Sequence, residues 1–324
     1  VHALRRDWTL ALTGTPVENR ATDVYSLFAL LVPGLLGTAE SFRKRFLLPI
    51  ERGEGRASAT LARRIRPFLL RRTKEEVLQD LPSKQEIIRR VELSVAERRL
   101  YTAARLAAKN AAAAHTEEGP GRIAVLAELT RLRRLVCHPK LYDNRSPIPS
   151  SKLEAVLEVV LELRAEGRRA LVFSQFTSYL ALVRDALEGA GLTSEYLDGS
   201  TPQGEREQAI DRFQRGSADV FLLSLKAGGA GINLTAADCV LLLDPWWNPA
   251  VEDQAAARAH RMGQTRPVTV IRFVGAATLE EKVLELHDDK RALASALLDG
   301  TGSATPFSLS ELRALLADDE TSLP

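Results

Sequence analysis

The residues best suited to chemistry are two arginines, Arg258 and Arg261, which stand three positions apart. We predict a helix over residues 248–262, and at this spacing both guanidinium groups leave one helical face and can converge on one anion. Arginine stabilises the charge on a phosphoryl group during its transfer. The alternative is a solvated helix face, which is the usual role of arginines at this spacing. The pair therefore suggests a phosphate site without establishing one.

A glycine-rich loop precedes these arginines, in the stretch Ser224 to Leu234. Gly229 and Gly231 would let the backbone approach a phosphate or a sugar closely, although such loops are as often ordinary tight turns. The sequence contains no Walker A loop, G-x-x-x-x-G-K-[ST], and no Asp-Glu-x-His box for magnesium. We therefore expect this chain alone to be unable to hold Mg-ATP and to be inactive by itself, and we predict no metal-ligand set in it.

Aromatic and basic residues supply candidates for nucleic-acid contacts. Trp246 and Trp247 follow a predicted strand. One of them is expected in the core, while the other could stack on a sugar or a base. The basic run from Arg63 to Lys74 includes Arg71 and Arg72. It is either a solvated helix surface or a surface that meets phosphates without reading sequence.

Composition limits the function classes. The 324 residues are 45% hydrophobic, enough for a substantial core and more than one domain. The formal net charge is only +2, so overall charge does not predict nucleic-acid binding. Cys137 and Cys239 lie far apart and outside any metal-ligand cluster, which predicts packed thiols in a reducing compartment. No apolar run reaches the ~20 residues of a membrane span. The chain begins with Val1, which we interpret as a cut through a larger protein.

The second half of the sequence predicts a parallel α/β sheet. Strands alternate with helices, which implies βαβ units and a sheet covered by helices on both faces. The predicted strands are 169–174, 193–198, 218–223, 239–243 and 267–274, and the predicted helices are 152–166, 177–190, 202–215, 248–262 and 278–298. Ligands bind outside the carboxyl ends of the strands in such sheets. The predicted loops at those ends are 174–176, 197–201, 226–233 and 244–248.

The first half is predicted to be mostly helical, with helices near 17–31 and 122–137 and a strand from Glu86 to Leu93. Ser94-Val-Ala-Glu97 fits a capping box that opens a long alanine-rich helix. Ser151, with Glu154 three residues on, fits the opening of helix 152–166 in the same way. Prolines and serines between residues 139 and 150 place the main domain boundary there.

Several segments together resemble the motor region of SWI/SNF-type ATPases, a branch of the superfamily two helicases. Four of them are similar to helicase motifs III, IV, V and VI, in that order: Leu12 to Pro16, Val172 to Phe176, Ser224 to Leu234 and Gln254 to Gln264. Two more, Phe68 to Lys74 and Leu132 to Pro139, are similar to helical insertions of the SWI/SNF branch. Relatives commonly have an acidic residue where this chain has Ala257, so Arg261 is the firmer assignment of the two arginines.

The resemblance implies a RecA-like fold and a division of the chain. It assigns residues 1–36 to the end of a first RecA-like lobe, 37–138 to helical insertions, 139–150 to a linker, 151–298 to a complete second RecA-like lobe and 299–324 to a tail. The Walker A lysine and the magnesium box are then expected upstream of Val1. ATP and Mg²⁺ would be bound mainly by that upstream lobe.

The same resemblance implies roles for individual residues. Arg258 and Arg261 would act as catalytic arginine fingers on ATP bound between the lobes. The residues expected to bind the nucleotide or couple it to lobe closure are Thr13, Gly14, Thr15, Gly229, Gly231, Gln254 and Gln264. The residues expected to contact DNA are Ser174, Gln175, Gly199, Ser200, Thr201, Lys226, Trp247, Arg71 and Arg72.

The implied function is the C-terminal half of a double-stranded-DNA-dependent ATPase and translocase that remodels protein–DNA complexes. The motor is expected to be monomeric and cytoplasmic, on a bacterial nucleoid, with RNA polymerase among its candidate targets and no membrane partner. One alternative is a helicase that unwinds DNA or RNA, which the SWI/SNF-type insertions disfavour. Another is a non-catalytic nucleic-acid-binding module, which the intact arginine pair disfavours.

Overall fold

A computed structural model describes most of the chain: residues 7–12, 21–51, 55–70, 72, 77–78, 80–114, 120–225, 232–287 and 309–317. The chain divides into two compact units. The helical unit comprises Val1–Val77, Asn248–Ala250 and Glu285–Ser308. The sheet unit comprises Leu78–Trp247, Val251–Leu284 and Leu309–Pro324.

The helical unit is a set of short helices around an aromatic and aliphatic centre. Its elements are α1 (Ala21–Leu31), α2 (Ala39–Phe42), a π-helical turn (Arg43–Leu47), α3 (Leu48–Glu51), α4 (Gly55–Ile65) and a 3₁₀ turn (Arg66–Phe68). Phe42 and Phe46 are both buried, and their ring centroids lie 5.5 Å apart. Arg45 and Arg64 each place a guanidinium 5.7 Å from the centroid of Phe46, so basic side chains flank the core of this unit.

The sheet unit is built on six parallel strands in the order β1-β6-β5-β2-β4-β3. The strands are β1 (Lys84–Val91), β2 (Ala170–Ser174), β3 (Ser194–Leu197), β4 (Val220–Ser224), β5 (Cys239–Leu242) and β6 (Val268–Gly275). The helices after β1 are, in chain order, α5 (Val95–Ala113), α6 (Pro120–Cys137), α7 (Ser151–Ala165), α8 (Thr177–Gly189), α9 (Gln203–Gln214), α10 (Pro249–Ala256), α11 (residues 279–287) and α12 (Leu309–Ala314). The predicted parallel α/β sheet is confirmed.

Successive side chains of each central strand enter two different cores, one on each face of the sheet. In β2, Leu171 and Phe173 belong to one buried cluster and Val172 belongs to the other. Because both faces are covered, the central strands are continuous apolar runs without a polar alternation. Cys137 and Cys239 are buried, unpaired thiols in the second cluster, as predicted from their isolation in the sequence.

Within the sheet unit, the carboxylate of Glu97 joins the start of α5 to the start of α7. The predicted capping box at the start of α5 is present: Ser94 Oγ accepts from the Glu97 amide at 3.3 Å, and Glu97 Oε2 accepts from the Ser94 amide at 2.9 Å. Glu97 also accepts from the Ser151 amide at 3.1 Å. The N-cap of α7 is Ser150 and not the predicted Ser151, because the Ser150 hydroxyl accepts from the Leu153 amide at 3.1 Å.

The division between the units does not coincide with the boundary predicted at residues 139–150. β1 pairs in parallel with β6 over eight residues, from Lys84 to Val91. β1 therefore belongs to the sheet unit, although it precedes the proline-rich stretch at residues 139–150 in the sequence. The pairing joins residues about 180 positions apart, and no local composition signal reports such a contact.

Gly275 at the end of β6 offers a test of how tightly α6 packs on the sheet. A Cβ placed at Gly275 would lie 2.6 Å from Val136 Cγ1 and 3.2 Å from Thr278 Oγ1. We expect Gly275→Ala to destabilise the sheet unit by about 1–3 kcal/mol through overpacking. Gly204 in α9 is the matched control, because a Cβ there meets nothing within 4 Å. Gly204→Ala should leave stability unchanged or raise it by about 0.5–1 kcal/mol, and urea unfolding of both variants measures the difference. Equal stability of the two variants would contradict the close packing.

Candidate functional site

The segment that carries Arg258 and Arg261 is a series of turns and not a helix. α10 ends at Ala256. The Arg258 carbonyl accepts from the Leu234 amide at 3.1 Å, so it is engaged by the preceding loop and not by a helical neighbour. Gly263 then adopts a φ of 95°, in the left-handed region that ends helical geometry. The predicted helix over 248–262 is therefore too long, and the expectation of one shared helical face is wrong.

The two arginines nevertheless lie close enough to influence each other. Arg258 is 8% exposed, and its Nε is buried without a hydrogen-bond partner among the described residues. Burial lowers the pKa of Arg258, and the positive charge of Arg261 lowers it further. Arg261 is half-buried, and its Nη1 donates to the Ile232 carbonyl at 3.3 Å. A bound anion would relieve both the repulsion and the missing hydrogen bond.

Gln264 anchors the turns that carry Arg258 and Arg261 to an earlier segment of the same polypeptide, around Ala237. It is 7% exposed, and its Nε2 donates to the carbonyls of Ala237 at 2.8 Å and Ala259 at 3.2 Å. Its Oε1 accepts from the Thr265 amide at 2.9 Å. Both ends of this amide are thus engaged by backbone, so Gln264 couples the turns to the segment around Ala237. Gln254 lies half-buried in α10.

A buried carboxylate, Asp244, organises the carboxyl ends of β2 and β5. Ser174 Oγ donates to one of its oxygens at 2.5 Å, and Gln175 Nε2 donates to the other at 2.5 Å. Ser174 is fully buried, which disagrees with the predicted contact between this residue and DNA. The Ser174 hydroxyl instead holds the loop, also accepting from the Phe176 amide at 3.0 Å. Gln175 remains partly exposed.

The three predicted contacts after β3 lie together on one ordered turn. Gly199 and Ser200 are exposed, and Thr201 is half-buried. Asp198 accepts from the Ser200 amide at 2.8 Å and from its hydroxyl at 2.6 Å, while the Asp198 amide donates to Thr201 Oγ1 at 3.0 Å. The hydrogen bond from the Ser200 hydroxyl is the largest effect that lowers the pKa of Asp198 below its ordinary value. The carboxylate of Asp198 thus orders the turn that carries Ser200 and Thr201.

The adjacent tryptophans have different environments. Trp246 packs partly buried against one core of the sheet unit, and its amide donates to Glu252 Oε1 at 2.7 Å. Trp247 is half-buried, and the guanidinium of Arg133 lies 5.0 Å from its ring centroid. Trp246 is therefore the one that packs in the core, while Trp247 is held by an arginine from α6.

A buried ion pair also anchors α10 to strand β6. Glu252 is fully buried and accepts from Arg272 Nε at 2.8 Å, and Arg272 Nη1 donates to Glu86 at 2.6 Å. Burial would raise the pKa of Glu86, but hydrogen bonds from Lys84 and Arg272 outweigh it and lower the pKa to about 2. β1, β6 and the chain that leads to Arg258 are thus connected through one ionic network.

The remaining candidates fall mostly outside the described ranges. The residues in this group are Thr13, Gly14, Thr15, Lys226, Gly229, Gly231 and Arg71. Arg72 is described and exposed.

Sequence reasoning missed the buried charges that support the site, chiefly Arg133 and Asp244. A signal for Arg133 was present, because it shares the apolar face of α6 with Leu129, Leu132 and Val136. A charged residue on such a face is seldom left unpaired. Its partners come from other elements and could not be named from sequence.

None of the described helices combines the length and apolarity needed to cross a membrane. Within the same residues, no group of three or more histidine, cysteine, aspartate or glutamate side chains is arranged to hold a metal ion.

Comparison with known proteins places this geometry in a family. The SNF2-related domain matches residues 1–141, and the helicase conserved C-terminal domain matches residues 151–263. The chain is 38% identical to the putative ATP-dependent helicase/translocase YwqA of Bacillus subtilis, over 94% of this chain and 34% of that protein. It spans about a third of the length of the curated relatives it matches.

Solved structures show the same relationship. The Sulfolobus solfataricus SWI2/SNF2 ATPase core in complex with dsDNA is 32% identical with a TM-score of 0.58, over 91% of this chain and 66% of that one. The C-terminal domain of the Sulfolobus solfataricus ATPase is 30% identical with a TM-score of 0.57, over 72% of this chain and 98% of that one. The order of its motifs, its RecA-like parallel sheet and these matches show that the chain belongs to the SWI2/SNF2 family of helicase-like ATPases.

Proposed function

We propose that this chain supplies the arginine fingers and part of the DNA surface of a double-stranded-DNA-dependent ATPase and translocase that remodels protein–DNA complexes. ATP and Mg²⁺ would be held mainly by a lobe that carries the Walker A loop, which this sequence lacks. Bound ATP would supply the phosphoryl group whose transfer to water drives the motor. A bacterial nucleoid setting, a monomeric motor and RNA polymerase as a target are parts of the same proposal.

The observation that carries the proposal is the environment of Arg258 and Arg261. Two neighbouring guanidinium groups, one with a buried Nε that has no partner among the described residues, are suited to an anion with charge spread over several oxygens. Arginine fingers of this kind stabilise the transition state of phosphoryl transfer. Gln254 and Gln264 would fix the segment, while Thr13, Gly14, Thr15, Gly229 and Gly231 would couple it to the nucleotide.

The DNA surface is proposed to run along the carboxyl ends of the strands. It would include Gln175, the turn from Gly199 to Thr201, Lys226 and Trp247. A solved relative was captured with dsDNA, which supports duplex DNA as the partner. Contacts of this kind grip the phosphate backbone and are independent of base sequence.

The test of the function is ATP hydrolysis by the full-length protein with duplex DNA, with single-stranded RNA and without nucleic acid. We expect strong stimulation by duplex DNA alone. Stimulation by RNA instead would favour an RNA-directed motor. Good ATP binding without stimulation by either would favour a module that has lost catalysis.

Arg71 and Arg72 are expected to contact phosphates. Their replacement by alanine should reduce the slope of log affinity for DNA against log salt concentration by about one unit for each phosphate that is no longer neutralised. Arg215 in the sheet unit is a control, because it is 80% exposed and pairs with Asp211 one helical turn away. Fluorescence anisotropy of labelled duplex DNA at several salt concentrations measures the slope. An unchanged slope would show that Arg71 and Arg72 do not neutralise phosphates and belong to a solvated surface.

A further inference from the structure

Arg133 is a buried cation that joins the helical pair α5–α6 to the ends of two strands. It lies in the last part of α6 and is 1% exposed. Its Nη1 donates to Gln175 Oε1 at 3.0 Å, and its Nη2 donates to the Pro245 carbonyl. A single guanidinium therefore contacts the loop after β2 and the loop after β5 at the same time.

The same guanidinium also contacts an aromatic ring and a carboxylate. Its carbon lies 5.0 Å from the Trp247 ring centroid, and its Nη2 lies 4.0 Å from Asp244 Oδ2. Asp244 in turn accepts from Gln175 Nε2 at 2.5 Å. Gln175 and Trp247, two residues of the proposed DNA surface, are thus both fixed by Arg133.

Net stability does not account for a charge at this position. Burial lowers the pKa of Arg133, although the Asp244 carboxylate opposes this effect. Its Nε has no hydrogen-bond partner among the described residues. An apolar side chain of similar volume often stabilises a core as well as a buried ion pair does. What an apolar side chain cannot supply is a planar set of donors that spans two loops.

We propose that Arg133 is a positioning residue: it holds Gln175 and Trp247 in the arrangement that receives the DNA backbone, and thereby sets the DNA concentration needed to stimulate ATP turnover. This inference rests on the proposed function. When side chains are already ordered in the free protein, DNA binding does not incur the conformational-entropy cost of ordering them. A lysine at this position would keep the charge but lose the bridge between the two loops.

The experiment compares Arg133→Lys and Arg133→Met with the same substitutions at Arg131 in the full-length protein. Arg131 lies in the same helix, is 57% exposed and pairs with Glu128 within the helix. ATP turnover is measured against duplex-DNA concentration, and thermal unfolding is measured for every variant. We expect both Arg133 variants to raise the half-stimulating DNA concentration by about tenfold, equivalent to about 1.4 kcal/mol, with turnover at saturating DNA within about twofold. The Arg131 variants should behave as wild type.

A purely structural role gives a different pattern. If the Arg133 variants unfold at a lower temperature but keep the wild-type half-stimulating DNA concentration, the positioning role is overturned. It is also overturned if Arg133→Lys matches wild type, since the charge alone would then suffice, or if neither variant folds. A wild-type protein that duplex DNA does not stimulate would instead overturn the proposed function, and this inference with it.

Discussion

Arg261→Ala in the full-length protein is expected to lower ATP turnover by about 10³–10⁵-fold while ATP affinity changes by only a few-fold. Arg261 Nη1 donates to the Ile232 carbonyl and its charge acts on Arg258, so its removal would leave the proposed anion site with one guanidinium. Binding affinity should persist, because the proposed function assigns most of the nucleotide contacts to a lobe with a Walker A loop. Single-turnover hydrolysis and equilibrium binding of a non-hydrolysed ATP analogue separate the two effects.

Arg266→Ala is the matched control for this prediction. Arg266 lies five residues further on, is 62% exposed and pairs with Asp238. It should retain nearly wild-type turnover. If Arg261→Ala hydrolyses ATP as fast as Arg266→Ala, the finger assignment is wrong. A large loss of ATP affinity in Arg261→Ala would instead show that this arginine binds the ground state as strongly as the transition state.

Lys152→Met is expected to destabilise the sheet unit by about 3–5 kcal/mol, because it leaves the charge of Glu280 buried without its partner. Lys152 Nζ donates to Glu280 Oε2 at 2.5 Å, and both side chains are fully buried. Glu280 also accepts from the Gly275 amide at 2.8 Å. Burial raises the pKa of Glu280 even in the presence of Lys152. Urea unfolding followed by tryptophan fluorescence measures the loss.

The double variant Lys152→Met/Glu280→Gln should recover most of that stability, since no charge remains buried while an oxygen is kept for Gly275. Arg215→Met, which removes an exposed pair with Asp211, is the surface control and should change stability by about 0.5 kcal/mol or less. In Lys152→Met alone, the folded pKa of Glu280 exceeds its unfolded value, so the folded state binds more protons. Its stability should therefore rise as pH falls from about 8 to about 5. A loss that is equal at both pH values would contradict an uncompensated carboxylate.

The regular part of the sheet unit was predictable because its signals are local. Each central strand, such as Val220–Ser224, is an apolar run flanked by turn residues, and each has the length of a strand. The capping box of Ser94 and Glu97 is equally local, and it appears as predicted. Residue type and spacing single out Arg258 and Arg261 in the sequence, and in the structure the charge of Arg261 acts on Arg258.

The conformation around those arginines could not be predicted from the same signals. The helical periodicity of the sequence continues through residue 262. In the structure, however, the Arg258 carbonyl accepts a hydrogen bond from the amide of Leu234, which lies 24 residues earlier in the chain. Ser174 was expected at the DNA surface, yet a carboxylate 70 residues away draws its hydroxyl into the interior. In both cases a distant partner outweighs the local preference, as tertiary contacts commonly do.

The sequence by itself determined the family, the parallel sheet and the residue types that could meet phosphate, because these depend on local patterns and motif order. Only the tertiary structure decided that β1 pairs with β6, that Arg133 bridges the ends of β2 and β5, and that Lys152 is paired with Glu280. Each of these contacts joins residues separated by 42 to 184 positions. Pairing over such distances is fixed by the packing of the whole unit and by the need to satisfy buried charges, and neither is encoded in a short window of sequence.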